Sequence, residues 1–168
     1  KPLTLEEFLD TTIGKFLRDF GDNIEVAQDI DKTKLSDLQL PFGLTITISF
    51  ILNNAFQQYR ITHGADFKGK IYFKLNKETN LIEISIIDEA GGIDEKEAML
   101  VIFKRGYSTK GTSGFGLFWA KQLVEMFNGS ISAENVGEPN KRGAKFTISI
   151  PVNWEEIYKS KVHVPSAL

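Results

Sequence analysis

Residues 106–117 read Gly-Tyr-Ser-Thr-Lys-Gly-Thr-Ser-Gly-Phe-Gly-Leu and run straight into a segment of helical spacing. Apolar side chains return at Leu117, Ala120, Val124 and Phe127, and Gly129 is expected to stop the helix. This junction constrains the chain more than any other stretch. The first N–H groups of a helix lack partners, and its dipole favours negative charge there. Glycines let backbone approach a ligand closely, so small, hydroxyl and basic residues ahead of a helix start suit phosphate. The same residues also read as a surface loop before an ordinary helix, and the stretch alone does not choose.

A length of 168 residues implies one domain, or one domain with a short appendage. The net charge of −2 offers no footprint for nucleic acid or an anionic membrane, so no nucleic-acid partner is expected. The absence of cysteine excludes a disulfide framework and a thiolate metal site, and fits a reducing compartment. No apolar run approaches the roughly eighteen residues of a membrane span. The chain opens Lys1-Pro2-Leu3 without a signal-peptide pattern, and is expected to be a piece of a longer protein.

Thr4 and Glu7 form a capping-box signature, and Leu5, Phe8, Leu9, Ile13, Phe16, Leu17 and Phe20 keep helical spacing over residues 4–20. Residues 24–30 read as a strand and 31–41 as polar connection. Over 43–60, Leu44, Ile48, Ile51, Leu52, Ala55 and Tyr59 share one helical face. Asn54 lies at the border of that face and Asn53 further toward solvent. Ile71, Phe73 and Leu75 alternate as a strand, Asn76 to Asn80 supplies a turn, and Leu81 to Ile87 form a second strand. The pair reads as an antiparallel hairpin with a loop longer than the tightest type. Asp88-Glu89-Ala90-Gly91-Gly92-Ile93 follows at the strand end, where an Asp either meets a ligand or makes its own turn. Asp94 is placed to cap a short helix through about Ile102. Residues 130–136 and 146–150 read as further strands, the last ended by Pro151. Trp154 to Tyr158 suits a short helix and Val162 to Leu168 a tail.

Asn54, the Asp88–Gly92 box, Gly114-Phe115-Gly116 and Gly143-Ala144-Lys145-Phe146-Thr147, in that order, resemble the ATP-binding boxes of the GHKL superfamily. Its members include sensor histidine kinases, chaperone ATPases, mismatch-repair proteins, type II topoisomerases and anti-sigma-factor kinases. Gly-Tyr-Ser-Thr-Lys followed by Gly-Phe-Gly-Leu is most similar to the catalytic domain of a bacterial sensor histidine kinase. The resemblance implies a two-layer α/β sandwich of the GHKL type, with a mixed sheet of about five strands and helices on one face. It implies a catalytic domain over 1–152 and a C-terminal tail over 153–168.

The same resemblance implies ATP and Mg2+ as cofactors and assigns roles by position. Asn54 matches the helical ligand of the magnesium, and Asp88 the carboxylate that accepts the adenine amino group. Gly92 matches the glycine against which the base lies, with Ile93 beside it. Ser108, Thr109 and Lys110 match the lid segment that reaches the phosphates. Gly114, Phe115, Gly116 and Leu117 match the end of the lid and the helix start. Thr147 is matched to a threonine beside the adenine-binding carboxylate. Asn54 and Lys110 are the catalytic candidates.

Three positions depart from the family pattern. Phe50 stands where kinases carry a second Asn and the hydrolysing and serine-phosphorylating branches carry a general-base Glu. Ala90 replaces a glycine, and Gln57 a basic residue. Neither His63 nor His163 sits in a His-Glu or His-Asp context, so the phosphoacceptor is expected outside this chain. The implied function is γ-phosphate transfer from Mg-ATP to a histidine on a dimerisation domain of the same parent. That parent is expected to be a homodimer that hands the phosphate to a response regulator. The domain is expected to be cytoplasmic, in a parent with or without a membrane anchor. The alternatives are a nucleotide-binding module without phosphotransfer, and a GHKL ATPase or protein-serine kinase.

Overall fold

The computed structural model describes residues 1–93, 102–104 and 116–162. Five strands form one sheet in the order β2-β4-β5-β7-β6. They are β2 (Ile24–Ile30), β4 (Gly69–Glu78), β5 (Leu81–Asp88), β6 (Ser130–Val136) and β7 (Gly143–Pro151). β2 runs parallel to β4 and every other neighbouring pair is antiparallel, so the sheet is mixed. A parallel pair needs a crossover, and α3 (Phe42–His63) supplies it between β2 and β4. The helices cover one face, which makes the two-layer sandwich the sequence implies.

Alternation decides which face is covered. Ile71, Phe73 and Leu75 of β4, Ile82, Ile84 and Ile86 of β5, and Phe146, Ile148 and Ile150 of β7 are buried under α3. α3 contributes Leu44, Ile48, Ile51, Leu52 and Ala55, each at most 2% exposed. Its first turns carry four β-branched residues in a row, Thr45-Ile46-Thr47-Ile48, which cost up to about 0.7 kcal/mol per residue in helix propensity. Full burial of one Leu or Ile is worth about 1.5–3 kcal/mol, so packing outweighs that local preference.

The N-terminal helix differs in one detail from an unbroken amphipathic run. The capping box forms as expected, with Thr4 N–H donating to Glu7 Oε1 at 3.0 Å and Glu7 N–H to Thr4 Oγ1 at 3.2 Å. α1 (Leu5–Leu9) then passes through a π-helical turn (Asp10–Gly14) into α2 (Lys15–Phe20). The Thr11 and Thr12 hydroxyls donate to the carbonyls of Glu7 (2.7 Å) and Phe8 (2.8 Å), a pattern that often bends a helix. Ile13 and Phe16 still reach the core.

Three further corrections follow. The β4–β5 hairpin is tight rather than long, because Glu78 pairs with Leu81 and leaves only Thr79 and Asn80 in the loop. Thr79 takes a positive φ of 48°, as two-residue hairpins demand. The connection 31–41 contains β3 (Gln39–Leu40), which pairs with β1 (Leu3–Thr4). The helix after the glycine-rich stretch of the sequence is α4 (Gly116–Met126), and the left-handed residue that ends it is Asn128 (φ 60°), not Gly129. Gly129 is needed for a different reason: a Cβ there would overlap the Ser149 carbonyl oxygen of β7.

Residues 153–168, assigned to a tail, contain α5 (Trp154–Lys161). Trp154 is 5% exposed, stacks edge-on against Phe127 and donates its indole N–H to the Gln39 carbonyl at 2.9 Å. α5 therefore packs on the body of the domain, in agreement with the short helix expected at Trp154 to Tyr158. The helix expected from Asp94 lies outside the described residues. No helix among the described residues is long and apolar enough to cross a membrane.

Candidate functional site

Asp88 is the last residue of β5, and the parity of the strand turns it to the helix-covered face beneath which Ile84 and Ile86 lie. It is 4% exposed. A buried carboxylate must be held by donors. Its Oδ1 accepts the Ala90 N–H at 3.0 Å and the Ala144 N–H of β7 at 3.2 Å. The first bond is the Asx turn that the sequence offers as one of two readings. The second comes from across the sheet and fixes the carboxylate against β7. Gly143 makes this approach possible, since a Cβ at that position would overlap the Asp88 carbonyl oxygen.

The backbone beyond Asp88 is held on both sides. Gly91 and Gly92 take φ of 104° and 77°, values that L side chains rarely adopt. Gly91 N–H donates to the Arg142 carbonyl at 2.8 Å. Asn135, near the end of β6, uses its whole amide: Oδ1 accepts the Ile93 N–H and Nδ2 donates to the Ile93 carbonyl, each at 2.6 Å. A Cβ on Gly92 would lie 2.6 Å from that Oδ1. Glycine is thus required at 92 both by its conformation and by the clamp beside it.

α3 forms the opposite wall. Phe50, Asn54, Gln58 and Thr62 follow one another at i, i+4 spacing. At one end, Phe50 faces Gly116 at the start of α4, its ring 3.8 Å from where a Gly116 Cβ would sit. At the other, the Thr62 hydroxyl donates to the Ala90 carbonyl at 3.2 Å. Asn54 lies between them, half-buried, while Asn53 is exposed, as the helical geometry of the sequence requires. α3 and α4 are locked together by the buried Thr47 hydroxyl, which donates to the Ala120 carbonyl at 3.1 Å, and by Gly43 against the Phe127 ring.

Tyr59 binds the same turn from below. Its hydroxyl donates to the Lys70 carbonyl at 2.6 Å and accepts the Glu89 N–H at 2.8 Å. Gly69 leaves room for the ring, and Phe67 stacks on it at 5.4 Å. Burial pushes the phenol above its ordinary value; the Asp88 and Glu89 charges add to this, while the bonds to Glu89 and Lys70 oppose it. A raised pKa contributes stability that is present below the unfolded value of about 10 and is lost as pH rises through the folded value. Unfolding free energy should therefore fall as pH climbs above about 10, and Tyr59→Phe should remove part of that fall. Urea titrations of both chains at stepped pH check this, and identical slopes would contradict it.

The expected site residues thus separate into groups. Asp88, Gly92 and Ile93 come together at one end of the α3 wall. Gly116 and Leu117 lie half-buried at the start of α4, near Phe50, with Asn54 one turn along. Ser108, Thr109, Lys110, Gly114 and Phe115 lie outside the described residues. Thr147 is not beside Asp88. It pairs with Ser85 and Ser132 on the uncovered face of the sheet, opposite in parity to Phe146 and Ile148. On β7, the Ala144 N–H reaches the Asp88 carboxylate and Gly143 lies against the Asp88 carbonyl. Tyr59, Thr62 and Asn135 were not among the expected site residues. Tyr59 carries a legible signal only as a core residue, and Asn135 carries none, because it reads as one more polar residue of an edge strand.

The model of the histidine kinase-, DNA gyrase B- and HSP90-like ATPases matches residues 40–153. A probable C4-dicarboxylate sensor kinase of Halalkalibacterium halodurans is 31% identical over 111 residues, which is 60% of this chain and 20% of that protein. The sensor protein ChvG of Agrobacterium fabrum is 29% identical over 118 residues, 65% of this chain and 20% of that one. The chain spans about a fifth of the length of these relatives. Among solved structures, a mycobacterial sensor histidine kinase, MprB, shares the fold with a TM-score of 0.67 at 21% identity, covering 90% of this chain and 96% of that one. Full-length ShkA in complex with AMPPNP gives 0.69 at 21% identity, covering 90% of this chain and 30% of that one. The matched span starts at the end of β3 and takes in both walls of the site, and on that match the chain belongs to the histidine kinase-, DNA gyrase B- and HSP90-like ATPases.

Proposed function

We propose that this chain binds Mg-ATP between α3 and the Asp88–Ile93 turn, as the catalytic domain of a sensor histidine kinase. The observation that carries this is the buried Asp88 carboxylate, fixed by Ala90 and Ala144 at one end of the helix that holds Asn54. From Phe50 to Thr62 that helix rises about 18 Å, a length suited to an extended nucleoside triphosphate. A carboxylate accepts hydrogen bonds and donates none. It favours an exocyclic amine over a carbonyl and hence adenine over guanine. Gly92 and Ile93 lie against the base. Asn54 offers a neutral oxygen, and a hard cation that keeps several waters needs few protein ligands besides phosphate. The magnesium would neutralise charge on the phosphates. Ser108, Thr109, Lys110, Gly114, Phe115, Gly116 and Leu117 are the phosphate contacts in this reading, where positioning and charge neutralisation do most of the catalysis.

The γ-phosphoryl group passes to an imidazole nitrogen of a histidine on a dimerisation domain of the parent. The bond to ADP breaks as the phosphorus–nitrogen bond forms. The imidazole is itself the nucleophile, so this domain supplies no general base. Phe50 beside Gly116 fits that role, because its ring takes no proton. The parent then acts as a homodimer and passes phosphate to a response regulator, in two-component signalling. Radiolabelled ATP incubated with the parent chain tests the reading. Label on histidine, acid-labile and base-resistant, supports it; phosphate release or phosphoserine overturns it. Phe50, Ala90 and Gln57 favour a second reading, a module that binds ATP without transferring phosphate, and bound nucleotide without label would select it. Asn54→Ala is expected to weaken ATP binding about tenfold in magnesium and far less in its absence. Calorimetry in both conditions checks this; an unchanged affinity in magnesium would remove Asn54 from the site.

A further inference from the structure

We infer that Tyr59, with Thr62 beside it, is a positioning residue that sets adenine selectivity by holding the Asp88 turn; this rests on the reading of Asp88 above. Two consecutive residues of that turn, Glu89 and Ala90, are each tied to α3. Glu89 N–H donates to the Tyr59 hydroxyl at 2.8 Å. Ala90 N–H donates to Asp88 Oδ1 at 3.0 Å, and the Ala90 carbonyl accepts the Thr62 hydroxyl at 3.2 Å. The Ala90 peptide can meet the Asp88 carboxylate only while Glu89 keeps its orientation, and Tyr59 fixes Glu89. The phenol is itself fixed: it donates to the Lys70 carbonyl of β4 at 2.6 Å, and its ring is packed against Phe67 and Gly69. A hydroxyl that donates to one strand and accepts from the next residue after another is a two-sided brace. Because Tyr59 and Thr62 lie on the helix that carries Asn54, one rigid element spaces the metal end of the site from its base end.

The brace acts through Asp88, so its loss should be felt by the adenine amino group and not by the rest of the nucleotide. The test compares ATP with purine riboside triphosphate, which lacks that amino group, in the parent chain and three variants. Tyr59→Phe keeps the ring and removes the hydroxyl's hydrogen bonds to Glu89 and Lys70. It should weaken ATP binding about tenfold and leave purine riboside triphosphate within about twofold. Thr62→Val, at an exposed position, should shift the same ratio in the same direction by less, and serves if Tyr59→Phe fails to fold. Asp88→Asn should abolish the preference for ATP. If Asp88→Asn abolishes it while Tyr59→Phe and Thr62→Val retain it, the brace is wrong and the site reading stands. If Asp88→Asn retains it, the site reading fails and the brace with it. Equal weakening of both nucleotides by Tyr59→Phe would mark a purely structural role and overturn the inference.

Discussion

Asp88→Asn should raise the dissociation constant for ATP by about ten- to hundredfold, with a smaller change for GTP. A hydrogen bond to a charged group is worth about 1.5–3 kcal/mol, and each 1.4 kcal/mol is a factor of ten. The substitution is chosen because the amide oxygen can still accept the Ala90 and Ala144 N–H groups that the carboxylate holds at 3.0 and 3.2 Å. Alanine would strand both donors in a buried place and confuse binding with folding. What asparagine loses is the negative charge and the all-acceptor character of the group. Its NH2 presents a donor where the adenine amino group needs an acceptor, whereas a guanine carbonyl can use that donor. Titration calorimetry with both nucleotides gives the two constants. Equal loss for ATP and GTP would refute the assignment of Asp88 to the base.

Gly143→Ala should cost about 3 kcal/mol of stability, at the upper end of what a single added methyl costs. At this chain length that is a drop in Tm of roughly 6–12 °C. The methyl would overlap the Asp88 carbonyl oxygen, which is backbone and has no rotamer to move into. Relief requires β7 to move away from the end of β5, and that movement pulls the Ala144 N–H from Asp88. Nucleotide affinity should therefore fall together with stability. Urea unfolding checks the first effect, and a loss below about 1 kcal/mol would show that the strands part easily there. The site and the sheet share this contact, so a variant that restores stability without restoring affinity is not expected.

The elements were legible because periodicity is a local property. Ile82, Ile84 and Ile86 announce a one-sided strand, and Leu44, Ile48, Ile51, Leu52 and Ala55 a buried helical face, without knowledge of what covers them. Boundaries were less legible. The hairpin strands run on through Asn76, Lys77 and Glu78, polar residues that look like a turn until cross-strand pairing claims their backbone. The packing of the short helix at Trp154 to Tyr158 was hidden for a related reason. A helix there is a local reading, but only the presence of Phe127 and the Gln39 carbonyl nearby makes the burial of Trp154 favourable. Thr147 was a misreading of a signal already present, since the alternation of Phe146, Ile148 and Ile150 places it on the opposite face.

By itself the sequence determined the helices, the strands, the position of Asn54 at the edge of a buried face and the order of the boxes. Those follow from residue types at fixed short spacings, which hydrophobic burial and backbone geometry read without distant partners. The tertiary structure decided how the boxes become one site. Tyr59 reaches Glu89 across 30 positions, Asn135 reaches Ile93 across 42, and Ala144 reaches Asp88 across 56. No local pattern encodes such pairs. They form because the sheet order puts β5 between β4 and β7, with β6 beside β7, so that buried polar groups from separate stretches must satisfy one another.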